Sequence, residues 1–409
     1  MKKNDNGFTL DVLQRPRFVQ ADLCTGCGRC QAECSVRLTT LVNGQKIKHG
    51  AIHKPLLAPK AVPSAYVIDK NGMAPCRVEC PLGINVQGFI SLLANDKTER
   101  AAELIAEAAP LGGILGRVCR HPCEANCSRG KLDTPVSIRA LHRYAADAAT
   151  AIPGWRSATQ EAIREGRIAI IGSGPAGLTA AWELKRRGYS PVVFESHSVV
   201  GGMLATGIPR FRLPREVREK EIEAIRSLGI DIRAGITVGR DITFTYLRER
   251  GFKAFFLAIG ALRNNRLNIP GEELDGVVDC MSLLLTLNLK VDTFVGANVV
   301  IIGDGNSAID SARAVIRWNK AAVKILSWTV PEELTAAEEE VEEAIMEGVT
   351  IEYQAMPVEI LGEGGRVTGV RCRKTELTNE IMPNGRHRPR PIPETDFVIE
   401  ADHVVVAIG

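Results

Sequence analysis

The clearest hydrophobic pattern in the chain lies between residues 167 and 195. Apolar residues fill positions 168–171, a helical alternation of apolar and polar residues spans 175–187, and a second apolar run fills 191–194. Short apolar runs are typical of buried strands, and the longer amphipathic stretch between them is typical of a helix. The pattern predicts a strand–helix–strand unit of a parallel α/β sheet.

The turn between this first strand and its helix has the spacing G-x-G-x-x-G. The first glycine permits a tight turn, the second lets the backbone approach a pyrophosphate, and the third lets the helix pack closely on the strand. A carboxylate at the end of the second strand can accept hydrogen bonds from both hydroxyls of an adenosine ribose. The unit therefore predicts a dinucleotide site whose contacts are Gly172, Gly174, Pro175, Ala176, Gly177 and Glu195.

The same pattern returns after residue 297, where the apolar run NVVII precedes G-x-G-x-x-A and a helical stretch. The alanine variant is an accepted form of the fingerprint. The next strand, at 323–326, is followed by Trp328 and Thr329 instead of an acidic residue or an arginine pair. This second predicted dinucleotide site comprises Gly303, Gly305, Asn306, Ser307 and Ala308.

Beyond the second fingerprint the pattern predicts a helix at 335–347. It opens on a capping box from Thr335 to Glu338, and its glutamates read as a solvated face. The residues predicted to face inward are Val341, Ala344 and Ile345. Short strands are expected at 351–370, and a proline-rich loop at 376–396.

Composition adds the first chemical information, because nine of the 11 cysteines lie between Cys24 and Cys127. Disulfides are not expected in a chain that shows no secretion signal. The first group has the ferredoxin spacing C-x2-C-x2-C-x3-C, which favours an iron–sulfur cluster over zinc. In two-cluster ferredoxins the fourth cysteine of such a run serves the other cluster. The candidate ligands here are Cys24, Cys27, Cys30 and Cys34.

Net charge, the length of apolar runs and cysteine spacing exclude several other classes of protein. The 409 residues carry a net charge of only +3, which gives no argument for nucleic-acid binding. No apolar run is long enough for a membrane span, so we expect a cytoplasmic enzyme. Cys280 and Cys372 lack a C-x2-C partner, which argues against disulfide reduction by the chain's own thiols.

Two later cysteine groups, PCRVECP and GRVCRHPCEANC, precede the first fingerprint, and GGMLATGIPRFRLP follows it at 201–214. In this order the motifs resemble the glutamate synthase small subunit and its relatives, which include dihydropyrimidine dehydrogenase and the large subunit of electron-bifurcating ferredoxin:NADP oxidoreductase. The resemblance covers most of residues 73–409. Residues 24–69 resemble the N-terminal segment of the flavin subunit of heterodisulfide reductases.

The resemblance implies the cluster ligands. Carried over position by position, one cluster would use Cys80, Cys119, Cys123 and His142. The alternative for His142 is an exposed helical histidine. The upstream cysteine pair that the relatives use for their other cluster is missing before Cys76, which leaves Cys76 and Cys127 short of partners. Nine cysteines and one histidine make ten candidates, so we expect two 4Fe–4S clusters, which need eight ligands.

The resemblance also implies the fold and the flavin contacts. It indicates an α/β protein with an N-terminal helical iron–sulfur domain and two interleaved Rossmann-like domains of the disulfide-reductase type. Residues 236–238 would form a strand against the adenine, and 255–261 a buried strand and turn. The additional flavin contacts would be Gly202, Met203, Leu204, Arg212, Val238 and Gly260.

The expected domains follow the chain in order. They are a ferredoxin-like segment at 1–70, the helical iron–sulfur domain at 71–160, the FAD domain at 161–290, the nicotinamide domain at 291–399 and a return to the FAD domain at 400–409. Residues 145–165 read as a helical linker. The Gly-Asp strand that closes the flavin domain of the relatives is absent, so we expect the sequence to be part of a longer polypeptide.

The activity that the resemblance implies is electron transfer between a nicotinamide and iron–sulfur clusters through FAD. No catalytic side-chain acid or base is required. NADH is favoured over NADPH, because the arginine pair that NADP-dependent relatives carry is missing. The expected partners are redox subunits of a larger complex, including bifurcating ones, and ferredoxin.

Two alternatives stay open. In the first, the chain is a flavin and cluster relay subunit with no nicotinamide site of its own, which Trp328 and Thr329 favour. In the second, it is a glutamate synthase small subunit, against which the extra group from Cys24 to Cys34 counts.

Overall fold

A computed structural model describes residues 27–33, 50–53, 73–149, 166–289 and 296–409, and the backbone alone of 2–4, 7–9, 37–42, 45–49 and 67–68. The chain divides into two compact units, Met1–Val78 and Glu79–Gly409.

The described residues of the first unit form short antiparallel pairs of strands and two short helices. Its strands pair β1 with β2, β3 with β4 and β5 with β6. They are β1 (Lys2–Asn4), β2 (Gly7–Thr9), β3 (Arg37–Val42), β4 (Gln45–Gly50), β5 (Ile52–His53) and β6 (Val67–Ile68). The helices are α1 (Arg29–Glu33) and α2 (Pro75–Val78). Cys27 and Cys30 are exposed, whereas Cys24 and Cys34 lie outside the described residues.

The second unit begins with five helices that pack around small and aliphatic residues. They are α3 (Val86–Leu93), α4 (Thr98–Ala106), α5 (Gly112–Val118), α6 (Pro122–Ala125) and α7 (Ile138–Ala148). Phe89, Ile105 and Ile114 are fully buried among them. Helix α3 coincides with a stretch of apolar residues at helical spacing, 86–93. Of the predicted linker, helix α7 covers the first residues, and 150–165 lie outside the described part.

The first nucleotide-binding domain is a parallel four-stranded sheet in the order β10-β7-β8-β9. Its strands are β7 (Arg167–Ile171), β8 (Ser190–Phe194), β9 (Asp231–Arg233) and β10 (Phe252–Leu257). Its helices are α8 (Pro175–Arg186), α9 (Met203–Thr206), α10 (Arg215–Ser227) and α11 (Phe244–Glu249). The apolar runs noted in the sequence supply the core, in which Ile170, Leu178 and Ile225 are buried. The strand–helix–strand prediction is confirmed.

Two details of this domain differ from the predictions. Residues 236–238 do not form a strand, since only an isolated bridge joins Val238 to Ile242. Strand β10 is not buried: Phe256 is 43% exposed and Leu257 is 61% exposed. The reason is its place at the edge of the sheet, where it pairs only with β7 in the described part of the chain.

The second nucleotide-binding domain is a parallel five-stranded sheet in the order β11-β18-β12-β13-β14. Its strands are β11 (Val277–Asp279), β12 (Asn298–Ile302), β13 (Ala322–Leu326), β14 (Thr350–Glu352) and β18 (His403–Val406). Its helices are α12 (Cys280–Leu289), α13 (Asn306–Asn319) and α14 (Glu338–Met346).

The boundaries of this domain differ from the expected ones at both ends. Strand β18 was expected to return to the flavin domain, but it lies between β11 and β12 in the second sheet. Strand β11 belongs to the same sheet, so the second domain starts before residue 290. Apolar side chains explain this placement, because Val404 and Val405 are fully buried in its core.

The predicted loop at 376–396 is wrong. Strands β15 (Ala355–Glu363), β16 (Arg366–Ile381) and β17 (His387–Glu400) form an antiparallel sheet in that order. Strand β17 carries prolines at 389, 391 and 393. Proline is tolerated at a sheet edge because the missing N–H would point away from the partner strand. The predicted fold class is confirmed, with this long hairpin added to it.

A search of the described helices finds none that combines the length and apolar character of a membrane span.

Candidate functional site

The first glycine-rich turn joins β7 to α8 and opens on one side only. A Cβ at Gly177 would lie 2.0 Å from the Gly172 carbonyl oxygen, so the helix packs on the turn without room for a side chain. A Cβ at Gly174 would have no described atom within 4 Å. Gly174 therefore faces open space, as required where a pyrophosphate approaches the backbone.

That open space is a cleft of about 500 Å³. It contains most of the predicted flavin contacts, including the N-terminus of α8, where a helix dipole favours phosphate. The predicted residues that line it are Gly172, Gly174, Pro175, Ala176, Glu195, Gly202, Met203, Val238 and Gly260. Gly177 and Leu204 lie instead in the packing beneath it. The cleft suits the dinucleotide end of FAD.

Glu195, the predicted ribose contact, lines the cleft. Its Oε2 accepts hydrogen bonds from the backbone N–H and the hydroxyl of Ser173, at 2.9 and 2.6 Å, and His197 N–H donates to Oε1 at 2.8 Å. Burial acts to raise the pKa of Glu195, but these hydrogen bonds outweigh it and lower the pKa below its ordinary value. The side chain is therefore a carboxylate, which suits a ribose diol and repels a 2′-phosphate.

Arg212 does not line this cleft. Its guanidinium bonds Asp310 Oδ2 at 2.7 Å and also Glu340, so it joins the flavin domain to α13 and α14. Four glutamates of α14 are exposed, as the sequence predicts, and they are Glu338, Glu339, Glu342 and Glu343. Some of them nevertheless make ion pairs. Glu339 pairs with Arg139 of α7, and Arg313 pairs with other glutamates at the end of the same helix. Ile345, predicted to face inward, is 52% exposed.

The second glycine-rich turn joins β12 to α13, with Gly303, Gly305 and Asn306 around the start of the helix and Ser307 and Ala308 in its first turn. Its surroundings are crowded. A Cβ at Gly305 would meet Thr335 Oγ1 at 3.3 Å, and Ala337 N–H donates to Asn306 Oδ1 at 2.9 Å. Residues 335–337 therefore cover this turn.

Asp304 is the centre of the crowded turn and is itself buried. Thr335 Oγ1 donates to its Oδ1 at 2.9 Å, and Ser327 Oγ donates to its Oδ2 at 3.3 Å. The capping box predicted for α14 is therefore wrong: the helix starts at Glu338, its N-cap Ala337 makes no side-chain cap, and the Thr335 hydroxyl is taken by Asp304.

A further charge reaches Asp304 from the hairpin. Arg386, in the turn between β16 and β17, places Nη2 2.6 Å from Asp304 Oδ2 and Nη1 3.4 Å from Oδ1. The next residue, His387, contacts Glu333, which accepts a hydrogen bond from Thr329 at 3.2 Å. Sequence reasoning missed Arg386, because 82 residues separate it from its partner.

Three of the predicted cluster ligands are neighbours in the second unit. Burial raises the pKa of the Cys123 thiol to about 11, and the nearby Glu124, Cys119 and Cys80 add to the effect. Such mutual repulsion is what bound iron relieves, since thiolates are the ligands of a cluster. A hydrogen bond from the Val136 backbone is the main cause that lowers the pKa of Cys127. These thiols fit the donor set of an iron–sulfur cluster.

No three His, Cys, Asp or Glu side chains among the described residues converge on one metal ion. A 4Fe–4S cluster does not need such convergence, because its four thiolates bind four different irons. Cys76 belongs to the first compact unit, and the ligand role proposed for it stays a prediction.

His142 is buried, at 6% exposure, so the alternative of an exposed helical histidine is wrong. Its ring packs against Phe89 and near Gly112, and its Nε2 has no hydrogen-bond partner in the described part of the chain. A free nitrogen is compatible with iron ligation, which stays a prediction. Cys280 and Cys372 are both buried, and burial raises the pKa of Cys372 to about 12.

A carboxylate that the sequence did not single out fastens the cysteine-bearing helices to the flavin domain. Glu221 of α10 accepts hydrogen bonds from Gly113 N–H at 2.5 Å and Ile114 N–H at 3.1 Å, at the first turn of α5. Cys119 follows directly after this helix. Burial raises the pKa of Glu221 to about 7 despite these bonds.

Comparison with known protein families separates the cysteine-bearing helices from the two parallel sheets that follow them. Residues 58–153 match the family described as dihydropyrimidine dehydrogenase domain II, 4Fe-4S cluster. Residues 166–409 match the family described as pyridine nucleotide-disulphide oxidoreductase.

Several curated proteins are similar over most of the chain. The beta subunit of the NADP(+)-dependent formate dehydrogenase of Moorella thermoacetica is 38% identical over 82% of this chain and 51% of its own length. The beta subunit of the NADPH-Fe(3+) oxidoreductase of Geobacter sulfurreducens is 36% identical over the same shares. The small chain of the NADPH glutamate synthase of Halomonas elongata is 32% identical over 88% of this chain and 78% of its own length.

The chain therefore spans about half the length of the first two relatives. Among solved structures, Mycobacterium tuberculosis FprA in complex with NADPH superposes with a TM-score of 0.52 at 20% identity, over 60% of this chain and 71% of that one. This last likeness concerns the fold alone.

Proposed function

Because the chain belongs to the pyridine nucleotide-disulphide oxidoreductase family and has a 4Fe–4S domain ahead of it, we propose that it passes electrons between a nicotinamide dinucleotide and iron–sulfur clusters through FAD. The enzyme class is that of a flavin-dependent NAD(P)H oxidoreductase. The cytoplasmic location expected from the sequence is part of this proposal.

One observation carries the proposal. The flavin cleft, the second glycine-rich turn and the group of Cys80, Cys119 and Cys123 all lie in one compact unit. Within that unit Glu221 ties the flavin domain directly to the helix that ends before Cys119. A short, rigid path between a flavin and a cluster is what electron transfer between them requires.

Bound FAD supplies the conversion between hydride transfer and single-electron transfer. The residues of the chain bind and orient. Glu195 would hold the adenosine ribose, and the amides at Gly174 and the start of α8 would hold the pyrophosphate. The start of α13 offers the corresponding amides to a nicotinamide dinucleotide. The thiolates hold iron, and we assign no side chain a role as acid or base.

We further propose that the chain works as one subunit of a larger redox complex, with ferredoxin among the candidate partners. The names of two relatives support this, because each is a beta subunit of a nicotinamide-linked oxidoreductase. The similarity to a glutamate synthase small chain keeps amination chemistry as a different assembly of the same fold. Mass spectrometry of proteins that co-purify under anaerobic conditions distinguishes these assemblies.

The test is an anaerobic titration of the iron-reconstituted chain with NADH and, separately, NADPH. Flavin absorbance and the electron paramagnetic resonance of reduced clusters are recorded together. We expect the flavin to bleach and a cluster signal to rise with it. Bleaching without any cluster signal would contradict transfer to iron, and iron analysis is expected to give about eight irons per chain for two clusters.

A second candidate is a relay subunit that never binds a nicotinamide. The covered second turn favours it, since Thr335 lies against Gly305 and Arg386 is paired with Asp304. In that case neither dinucleotide bleaches the flavin, whereas dithionite reduces both the flavin and the clusters.

A further inference from the structure

The two glycine-rich turns make the same side-chain hydrogen bond, but the hydroxyl and the carboxylate have exchanged positions. In each, the residue between the first two glycines bonds the residue that follows the next strand. In the first turn, the Ser173 hydroxyl bonds the Glu195 carboxylate. In the second, the carboxylate is on the turn, as Asp304, and the hydroxyl is at the strand end, as Ser327.

This exchange changes the charge at the ribose position. The strand-end residue faces the 2′ position of the adenosine, as in the acidic residue of the dinucleotide fingerprint. A carboxylate at this position accepts a hydrogen bond from the 2′-hydroxyl and repels a 2′-phosphate. Ser327 carries no charge itself, but the Asp304 carboxylate lies 3.3 Å from its hydroxyl, so a 2′-phosphate in the second site needs a positive charge nearby.

The positive charge comes from the hairpin. Arg386 and Ser327 contact the same oxygen of Asp304, Oδ2, so the guanidinium lies beside the strand end. Asp304 occupies two of its five donors, one of them at only 3.4 Å. The Arg386 side chain is 16% exposed, so the N–H groups of Nη1 and Nη2 that Asp304 does not take can reach a ligand. The guanidinium therefore has donors left for a phosphate, and Asp304 keeps its side chain in place.

We propose that Arg386 is the 2′-phosphate ligand of the second site, and that this site selects NADPH over NADH. This inference rests on the proposed function. It reverses the preference for NADH drawn from Trp328 and Thr329, which considered only residues next to β13. Arg386 reaches the same place from a hairpin whose existence the sequence pattern did not predict.

Binding of nucleotide fragments tests the proposal without turnover. Adenosine 2′,5′-bisphosphate and 5′-AMP are titrated calorimetrically into the full, flavin-loaded chain and into Arg386→Gln. Loss of a charge-assisted contact is expected to weaken the bisphosphate about 10- to 100-fold and 5′-AMP less than threefold. The matched control is Arg388→Gln, because Arg388 lies on the same hairpin, is 57% exposed and pairs with Glu380.

The outcomes are distinct. If Arg386→Gln weakens both fragments equally, or neither, the proposal is overturned, because Arg386 then acts only on the shape of the turn or not at all. If the wild-type chain binds both fragments equally tightly, the inference fails while flavin bleaching by NADH and NADPH would still support the proposed function. If neither dinucleotide bleaches the flavin and neither fragment binds, the proposed function fails first.

Discussion

The two glycine-rich turns of this protein have nearly the same backbone and opposite surroundings. In both, the first glycine donates its N–H to the end of the neighbouring strand, Gly172 to Phe194 at 2.8 Å and Gly303 to Leu326 at 3.0 Å. Yet Gly174 faces an open cleft, whereas Gly305 faces Thr335. The fingerprint thus specifies the turn, and residues far away in sequence decide what can reach it.

The two domains are also fastened to their neighbours by different means. The flavin domain is tied to the helical region by one buried carboxylate, Glu221, on two backbone amides. The second domain is tied to the flavin domain by a guanidinium between two carboxylates, Arg212 with Asp310 and Glu340. Burial raises the pKa of a carboxyl in both connections, Glu221 to about 7 and Asp310 to about 6, but only the second connection contains a cation. The four experiments below separate these differences.

The largest effect is expected from Arg212→Gln. The change leaves the buried carboxylates of Asp310 and Glu340 without their cation, and we expect a loss of about 3–5 kcal/mol in the free energy of unfolding. Urea denaturation measures it. Because Arg212 does not line the flavin cleft, the flavin content of the folded fraction should not change. A lower flavin content at unchanged stability would instead support the flavin contact that the sequence suggested.

Glu221 makes the first connection dependent on pH. Its folded pKa of about 7 lies above the ordinary value of 4.5, so the folded state binds the extra proton between these values. The contribution of protonated Glu221 is therefore complete below pH 4.5 and is lost as the pH rises through 7, which amounts to about 3 kcal/mol. Denaturation of wild type and Glu221→Gln at pH 5 and pH 8 measures it. The variant should lose this part of the pH dependence. The same change in unfolding free energy between pH 5 and pH 8 in both proteins would contradict the role of Glu221.

The third experiment compares the third and the second glycine of the first turn. Gly177→Ala would place a Cβ 2.0 Å from the Gly172 carbonyl oxygen, so we expect a loss of about 2–3 kcal/mol and reduced flavin content. Gly174→Ala is the matched control, since it meets no described atom within 4 Å and should lower only flavin affinity. The ratio of flavin to protein absorbance and the melting temperature separate the two. Equal melting temperatures for both variants would show that the packing at Gly177 has no effect.

The smallest effect is expected when the second site is given the residue arrangement of the first, with serine in the turn and glutamate at the strand end. The double variant Asp304→Ser, Ser327→Glu moves the carboxylate to the strand end, where Glu195 stands in the flavin site. Binding of adenosine 2′,5′-bisphosphate should weaken about tenfold, or ~1.4 kcal/mol, relative to 5′-AMP. Calorimetry with both fragments measures the ratio, and the melting temperature checks the fold. An unchanged ratio would show that strand-end charge does not set the choice.

The sequence was sufficient where a short pattern has one physical solution. The apolar runs and glycines around residues 172 and 303 predict both turns, and the helix at 86–93 follows from its apolar spacing. The hairpin was missed because prolines in β17 read as a loop, although an edge strand tolerates them.

The missed contacts share a different cause. Thr335 has the spacing of a capping residue, but Asp304, 31 residues earlier, takes its hydroxyl. Glu221 bonds amides 107 and 108 residues away, and nothing in the local pattern signals this. Tertiary contacts of this kind cannot be predicted from sequence spacing. Each of the two residues, considered alone, could equally well make an ordinary local contact or face solvent.

The helical region contacts the segment that covers the second glycine-rich turn. These contacts matter for engineering. Arg120 donates to the Thr335 carbonyl at 3.1 Å, and Arg139 pairs with Glu339 at 2.5 Å. The cysteine-bearing helices thus form part of the wall around a nucleotide site in another domain. A chimera that exchanges those helices for a foreign set would have to bring residues 335–340 with them, because the two pieces are not independent modules.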